Sequence, residues 1–557
     1  MTRNTRLTAP LIARLRDAFG RDTRADLWNV ALDEHAKGYL DRRNLLKYAG
    51  ALGIGSALGV TGLLGSTVPA LAEGKPGGTI RVGLGQPTAA FNPVLLTDSS
   101  SIGVLSQVGE YLILDDPENG LVPQLALSWE ANEDLSEWVF NLRPGVKFHD
   151  GREVTSADVV ATFERLADPD NGSSALSAFR GLLSKGATSA KDPLTVVFRP
   201  DVPNANFPYY VSSSVVATII LPADHAGDYE QSFIGTGPFR FDSYQPQRGI
   251  SFVRNEDYWG EKALPDRVEI RFYDDQQAQF LALKSGEVDV IPEVNSLTST
   301  VEQDPTLRVL AVDSTRNDTI HLRTDSAEFK DARIRRAFAL AIDRDAVVDG
   351  LYKGRAIKGN DSIFAPIYAS SDPGVPQRNR DLTEAKRLLG EAGVPNGFKV
   401  TLTTERAYSI PEYSVLLQNQ LKEAGIEIEL NLIPQDAYYG KAVFGESPWL
   451  DSTLGITDYG HRGTPDLILN ATLRSDGAWN SAQFKSAEYD ALLVDYAKAR
   501  DLAAQREAAG KIQRLLLEET PAIITYFNKF IRFSSRRVEG VRFTAISHLL
   551  LARAWVA

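Results

Sequence analysis

Residues Leu125 to Pro169 read LALSWEANEDLSEWVFNLRPGVKFHDGREVTSADVVATFERLADP, and no other stretch of this length says more about the fold. Trp138-Val139-Phe140-Asn141-Leu142 alternates like a half-buried strand, and Pro144-Gly145 breaks it as a turn must. Asp150-Gly151 marks a second turn. Thr155 is placed to accept the amide of Asp158 as an N-cap, after which Val159, Val160, Phe163 and Leu166 recur at helical spacing until Asp168-Pro169 stops the run. Such a stretch has no catalytic look. It is a packing module.

Working outward, the chain has 557 residues, 43% hydrophobic and 24% charged, which is ordinary for a soluble globular protein and long enough for two or three cores. A net charge of -12 offers no basic face to phosphate, and no interleaved Arg/aromatic run is present, so nucleic-acid binding is not expected. The chain has no cysteine. Disulfides, a lipid-bearing lipobox cysteine, thiol catalysis, Cys-based zinc and iron-sulfur clusters are thereby excluded.

Residues 1 to 72 read as an address. Asp41-Arg42-Arg43-Asn44-Leu45-Leu46-Lys47 has the form of a twin-arginine export motif, and Tyr48 to Ala72 then runs 25 residues without a charge. Cleavage after Ala72 would leave a mature chain that is not membrane-anchored, in the periplasm. The alternative is a membrane anchor, since such a run can span a bilayer, but its six glycines weaken helix and apolarity.

After this segment strands and helices alternate. Thr79 to Leu84 is a first strand, and Val268 to Phe272, Gln276 to Lys284 and Val288 to Ile291 form a strand, helix, strand crossover. Gly83-Leu84-Gly85 lacks the third glycine of a dinucleotide loop and is read as a plain loop. A second block starts near Asn317: Asp331 to Ile342 puts Ile334, Ala337, Phe338 and Ala341 on one helical face, and Lys399 to Leu432 repeats strand, helix, strand. We expect an α/β protein of two lobes.

The order SWE, W-x-F-x-L-R-x-G-V-K-F-H-D-G, T-x-x-D-V in the opening stretch resembles the family 5 extracellular solute-binding proteins, the receptors of peptide and nickel ABC importers. Gly235-Thr236-Gly237-Pro238-Phe239, Asn255-Glu256-Asp257-Tyr258-Trp259-Gly260 and Arg333 to Arg344 resemble three further motifs of that family. The resemblance implies a two-lobed periplasmic-binding-protein fold of the class II, cluster C type with an extra subdomain in the first lobe. Lobe I would take residues 77 to 312 plus 525 to 557, with the subdomain at about 112 to 225, and lobe II residues 313 to 524. It implies a monomer that closes on a small-molecule solute, a short peptide or amino-acid-derived compound, and delivers it to the ABC permease. A metal-chelate or haem receptor of the same family is the alternative, and a secreted hydrolase a further one.

No enzyme constellation supports the hydrolase. The six histidines are scattered, with no H-E-x-x-H, no G-x-S-x-G and no Walker A loop, so we expect no catalytic residue, metal or cofactor. His149 reads as a turn histidine bonding locally. By resemblance to peptide receptors, Asp458 in Gly455 to Asp466 would hold a ligand ammonium, the alternative being a turn cap. This chain departs from their pattern by placing Pro465 about three residues later, with His461-Arg462 in the added turn. Arg406-Ala407-Tyr408 resembles an R-x-Y grip on a ligand carboxylate, although Arg406 reads equally as a solvated loop charge. Trp449, Tyr459 and Trp479 are candidates for apolar walls, or for core.

Overall fold

A computed structural model of the chain describes residues 74–226 and 228–557. The twin-arginine motif, the uncharged run and the Ala72 cleavage point lie outside the described residues. Two larger sheets organise the rest. The seven-stranded one runs, edge to edge, Leu307–Val312, Phe530–Ser535, Val290–Pro292, Thr79–Gly85, Arg267–Tyr273, Gly249–Arg254 and Phe239–Gln245. Thr79–Gly85 is parallel to both Arg267–Tyr273 and Val290–Pro292, and the helix Gln276–Ser285 joins those two, so the crossover passes over the central strand. Asp275 caps that helix by accepting the Ala278 amide at 2.7 Å. Gly83 and Gly85 belong to the central strand and not to a loop. A Cβ at Gly83 would sit 3.1 Å from both Ile291 and Tyr273 side chains, so glycine there serves close packing.

The five-stranded sheet runs Ile426–Ile433, Phe398–Glu405, Leu454–Tyr459, Asn317–Leu322 and Ala522–Ile523. The chain enters it between Val312 and Asn317 and leaves between Ile523 and Phe530, whose strand re-enters the first sheet. Each sheet has its own core: Val82, Phe252 and Ile270 are buried in the first, Ile320, Phe338, Leu402 and Leu454 in the second. Two lobes with two crossings result, because neither apolar face is left for the other to cover.

The opening stretch builds a third, four-stranded antiparallel sheet, in the order Ala126–Ala131, Trp138–Leu142, Thr195–Phe198, Thr188–Asp192. The helix Ser156–Ala167 covers it, with Phe163 edge-on to Phe198 at 4.9 Å. At the start of that helix the Asp158 carboxylate accepts both the amide and the hydroxyl of Thr155, at 2.8 and 2.9 Å. Its other oxygen takes the Ala223 amide, tying the helix to a distant loop.

Two of the motifs that carry the family resemblance, Gly235 to Phe239 and Asn255 to Gly260, converge on one buried carboxylate. Glu110 accepts from the Thr236 hydroxyl at 2.8 Å, the Tyr258 hydroxyl at 2.7 Å and the Trp259 indole at 2.8 Å. Burial raises the Glu110 carboxyl and those three donors oppose the rise. His149 is not a local turn bond: its Nε2 lies 3.0 Å from the Gly237 carbonyl, and its amide donates to Gly235. The subdomain turn is thus fastened to the Gly235–Phe239 segment. Burial lowers the His149 pKa to about 4, so the ring is a neutral strut at physiological pH.

Candidate functional site

Asn317–Leu322 and Leu454–Tyr459 pair antiparallel, and their register sets Asp318 directly opposite Asp458. Two carboxylates facing each other across a strand pair repel. Arg316, the last residue before the second lobe's first strand, resolves this by a bidentate fork, Nε to Oδ1 and Nη2 to Oδ2 of Asp458, both 2.9 Å. The same guanidinium lies 4.6 Å above the Tyr408 ring. Tyr408 holds a φ of 52°, a left-handed backbone rare for an aromatic residue, and its side chain is exposed. Asp458 therefore sits in a strand, with the cation beside it supplied by the chain itself.

Asp318 is buried. One of its oxygens accepts the Tyr526 hydroxyl, and the other has no partner. Burial, then the Asp458 charge, pushes its carboxyl up to about 7. Glu405, ending the neighbouring strand, accepts the Tyr439 hydroxyl at 2.7 Å and is likewise raised, chiefly by burial. For Asp318 the folded protein keeps its proton to about pH 7, whereas an unfolded aspartate loses it near 4. The stability this group contributes is full below pH 4 and is lost as pH rises through 7. Asp318→Asn should therefore gain stability over the parent progressively between about pH 4 and 7 and hold that gain above pH 7, by a few kcal/mol at most. Urea unfolding at several pH values checks it, and a pH-independent difference would sink the assignment.

The added turn lies against the first crossing. His461 Nδ1 accepts the Thr315 amide at 3.1 Å, the Arg462 amide donates to the Thr315 hydroxyl at 2.9 Å, and Tyr368 donates to the Arg462 carbonyl at 2.7 Å. Burial lowers the His461 pKa to about 3, which keeps the ring neutral. A Cβ at Gly463 would lie 2.3 Å from Ser214 Oγ and 2.5 Å from Asp115 Oδ2, so glycine lets this turn approach the first lobe's subdomain without displacing that hydrogen-bonded pair. Asp115 accepts the Ser214 hydroxyl at 2.6 Å, and burial raises it to about 6. Beyond the turn, Asp466 accepts Asn204 and Tyr210 of the subdomain, each at 3.0 Å. Charged groups from three chain regions thus gather where the lobes meet, at the carboxyl ends of Phe398–Glu405 and Leu454–Tyr459, the end at which open α/β sheets take ligands.

The sequence model of the bacterial extracellular solute-binding proteins, family 5, matches residues 120–471. The chain belongs to that family. Among its relatives it is 28% identical over 437 residues to heme-binding protein A of Haemophilus influenzae, covering 72% of this chain and 78% of that one. It is 25% identical over 531 residues to the dipeptide-binding protein of Escherichia coli, covering 89% and 96%. In three dimensions it resembles the periplasmic binding protein DppA of Helicobacter pylori in complex with peptide STSA, with a TM-score of 0.67, 23% identity and coverage of 86% and 98%. These neighbours share the two-lobed fold of mixed sheets described above.

Within this family 5 chain the structure groups Asp458, Tyr408, His461 and Arg462 around the first crossing, and separates the others. Arg406 is exposed and donates to the Leu432 carbonyl at 3.0 Å. Trp449, Tyr459 and Trp479 form an aromatic row inside lobe II, Tyr459 stacked on Trp479 at 6.3 Å, in the core behind the site. Tyr459 and Trp479 line a cavity of about 30 Å³, room for about one water. Sequence reading passed over Arg316, Asp318, Glu405 and Asp115. None belongs to a motif, and only the strand register shows that two of them share a face with Asp458. Among the described residues no group of three or more His, Asp or Glu is placed to hold a metal ion, and no helix is long and apolar enough to cross a membrane.

Proposed function

We propose that this chain is the periplasmic receptor of an ABC importer that takes an amino-acid-derived solute or short peptide between its lobes and hands it to the permease, making and breaking no bond. Asp458, Arg316, Tyr408, His461 and Arg462 would form the lobe II wall of the site, and Asp115 the facing wall. The observation that carries this reading is the placement of Arg316 and the His461-Arg462 turn against the segment through which the chain first crosses between lobes. A solute that touches them touches the hinge, so its binding energy biases the lobe angle. Relatives that bind dipeptides and heme support a small-solute role.

The test is small-angle scattering of the protein, stripped of ligand, before and after adding the solute identified by mass spectrometry of the native preparation. The radius of gyration is expected to fall on binding. An unchanged radius at saturation would show a rigid binder and remove the hinge from the mechanism. Delivery to the periplasm would run through the twin-arginine route. Replacing Arg42 and Arg43 together by lysine is expected to hold the precursor in the cytoplasm, and an undiminished periplasmic yield would rule that route out.

A further inference from the structure

Arg316 and Arg462 flank Asp458 but are used differently. Arg316 is spent on both oxygens of Asp458, with side-chain exposures of 31% and 16% that leave the pair partly shielded from water. A second cation brought to Asp458 would meet a carboxylate already neutralised. Arg462 has no such partner: among the described residues no carboxylate lies within 4 Å of its guanidinium, whose one hydrogen bond is from Nη1 to the adjacent His461 carbonyl at 2.9 Å. Its side chain is half-buried in the added turn, between Thr315 of the crossing and the Gly463 contact with the subdomain.

The other acids nearby do not change this balance. Asp115 is engaged by the Ser214 hydroxyl, and Asp466 by Asn204 and Tyr210. Asp318 lies behind Asp458 under Tyr526, and burial holds its carboxyl toward the neutral form. Glu405 is held the same way under Tyr439. The geometry leaves at Arg462 a half-buried planar fork with no carboxylate in contact, suited to two oxygens of a carboxylate, beside an internally closed Arg316–Asp458 pair and the exposed Tyr408 ring.

We infer that the solute is an amino-acid derivative bearing a carboxylate, which Arg462 grips, and lacking a free α-ammonium because Arg316 already holds the place of that cation on Asp458. N-acylated and lactam-type compounds belong to this class. The inference rests on the receptor reading above and narrows its ligand.

Two probes decide it: a random dipeptide library, and the same library N-acetylated, each scored by thermal shift and native mass spectrometry on the full mature protein. The acetylated library is expected to raise the melting temperature and to add mass, and the free library to do neither. Arg462→Gln should weaken acetylated binders at least tenfold while melting, unliganded, within a degree or so of the parent. Arg316→Gln uncovers Asp458 and should reverse the preference, admitting free-amine dipeptides at least tenfold better than the parent does. Free dipeptides binding the parent as well as acetylated ones overturn the inference and leave the receptor reading intact. Binding of neither library overturns it too, and the scattering experiment then reports separately on the receptor reading. If Arg316→Gln fails to fold, the parent and Arg462→Gln measurements still decide, and full binding by Arg462→Gln counts against the proposal.

Discussion

Asp361→Ala is expected to cost lobe II most of its stability. Asp361 is fully buried and accepts from Arg344 Nη2 at 2.6 and 2.8 Å and from Arg378 Nη1 at 2.7 Å, with the two arginine side chains only 2% and 8% exposed. Arg378 also donates to the Leu517 carbonyl and Arg344 to that of Ala339, so neither guanidinium can swing out to water without breaking the frame. Removing the carboxylate leaves two buried cations side by side. Breaking one buried pair typically costs about 3 to 5 kcal/mol, a large share of the roughly 5 to 15 kcal/mol that holds a domain folded. The urea midpoint should fall steeply with little change in slope. Glu507→Ala, which breaks an exposed pair with Lys511 one helical turn away, should leave the midpoint where it was. Equal effects from the two substitutions would refute the electrostatic account.

Gly235→Ala is the second large effect. A Cβ at Gly235 would stand 1.9 Å from the Val108 carbonyl oxygen, a backbone atom that cannot step aside. The same segment carries Thr236, which donates to Glu110, and Gly237, whose amide donates to Val108. One methyl group would therefore push apart the place where the subdomain turn, the Tyr258-Trp259 pair and the Gln107–Glu110 stretch meet. We expect little folded protein, or a melting temperature lower by about ten degrees or more, with effects of that size being confined to clashes and buried unpaired groups. Gly145→Ala is the control. Its added Cβ meets nothing within 4 Å, so it suffers only the strain of a φ of 73°. If Gly235→Ala is no worse than Gly145→Ala, close approach is not why glycine stands there.

The family motifs serve buried polar frames: Arg344, which ends the Arg333 to Arg344 motif, holds Asp361, and Thr236 holds Glu110. Thr236, Tyr258 and Trp259 satisfy one buried carboxylate, Glu110, while His149 and Asn255 both bond the Gly237 carbonyl, and this shared packing leaves few residue choices in those motifs. They fasten lobe I. The proposed ligand wall mixes residues legible by resemblance, Asp458 and Tyr408, with Arg316 and Asp115, which belong to no motif.

What the sequence determined by itself was local and periodic. Alternation in Trp138 to Leu142, the helical spacing of Val159 to Leu166 and the strand, helix, strand runs depend on neighbours within a few residues, and they were enough for an α/β chain of two lobes. Asp458 and the departure at His461-Arg462 were also legible, from resemblance. Tertiary structure alone decided what Asp458 does, because its partner Arg316 lies 142 residues away and reaches it only when Asn317–Leu322 and Leu454–Tyr459 pair in the one register that sets Asp318 against Asp458. It likewise sent Tyr459, Trp449 and Trp479 inward to the core and left Arg406 outside. A charge pair is set by distance in space and by burial, and neither has a period that can be read along a chain.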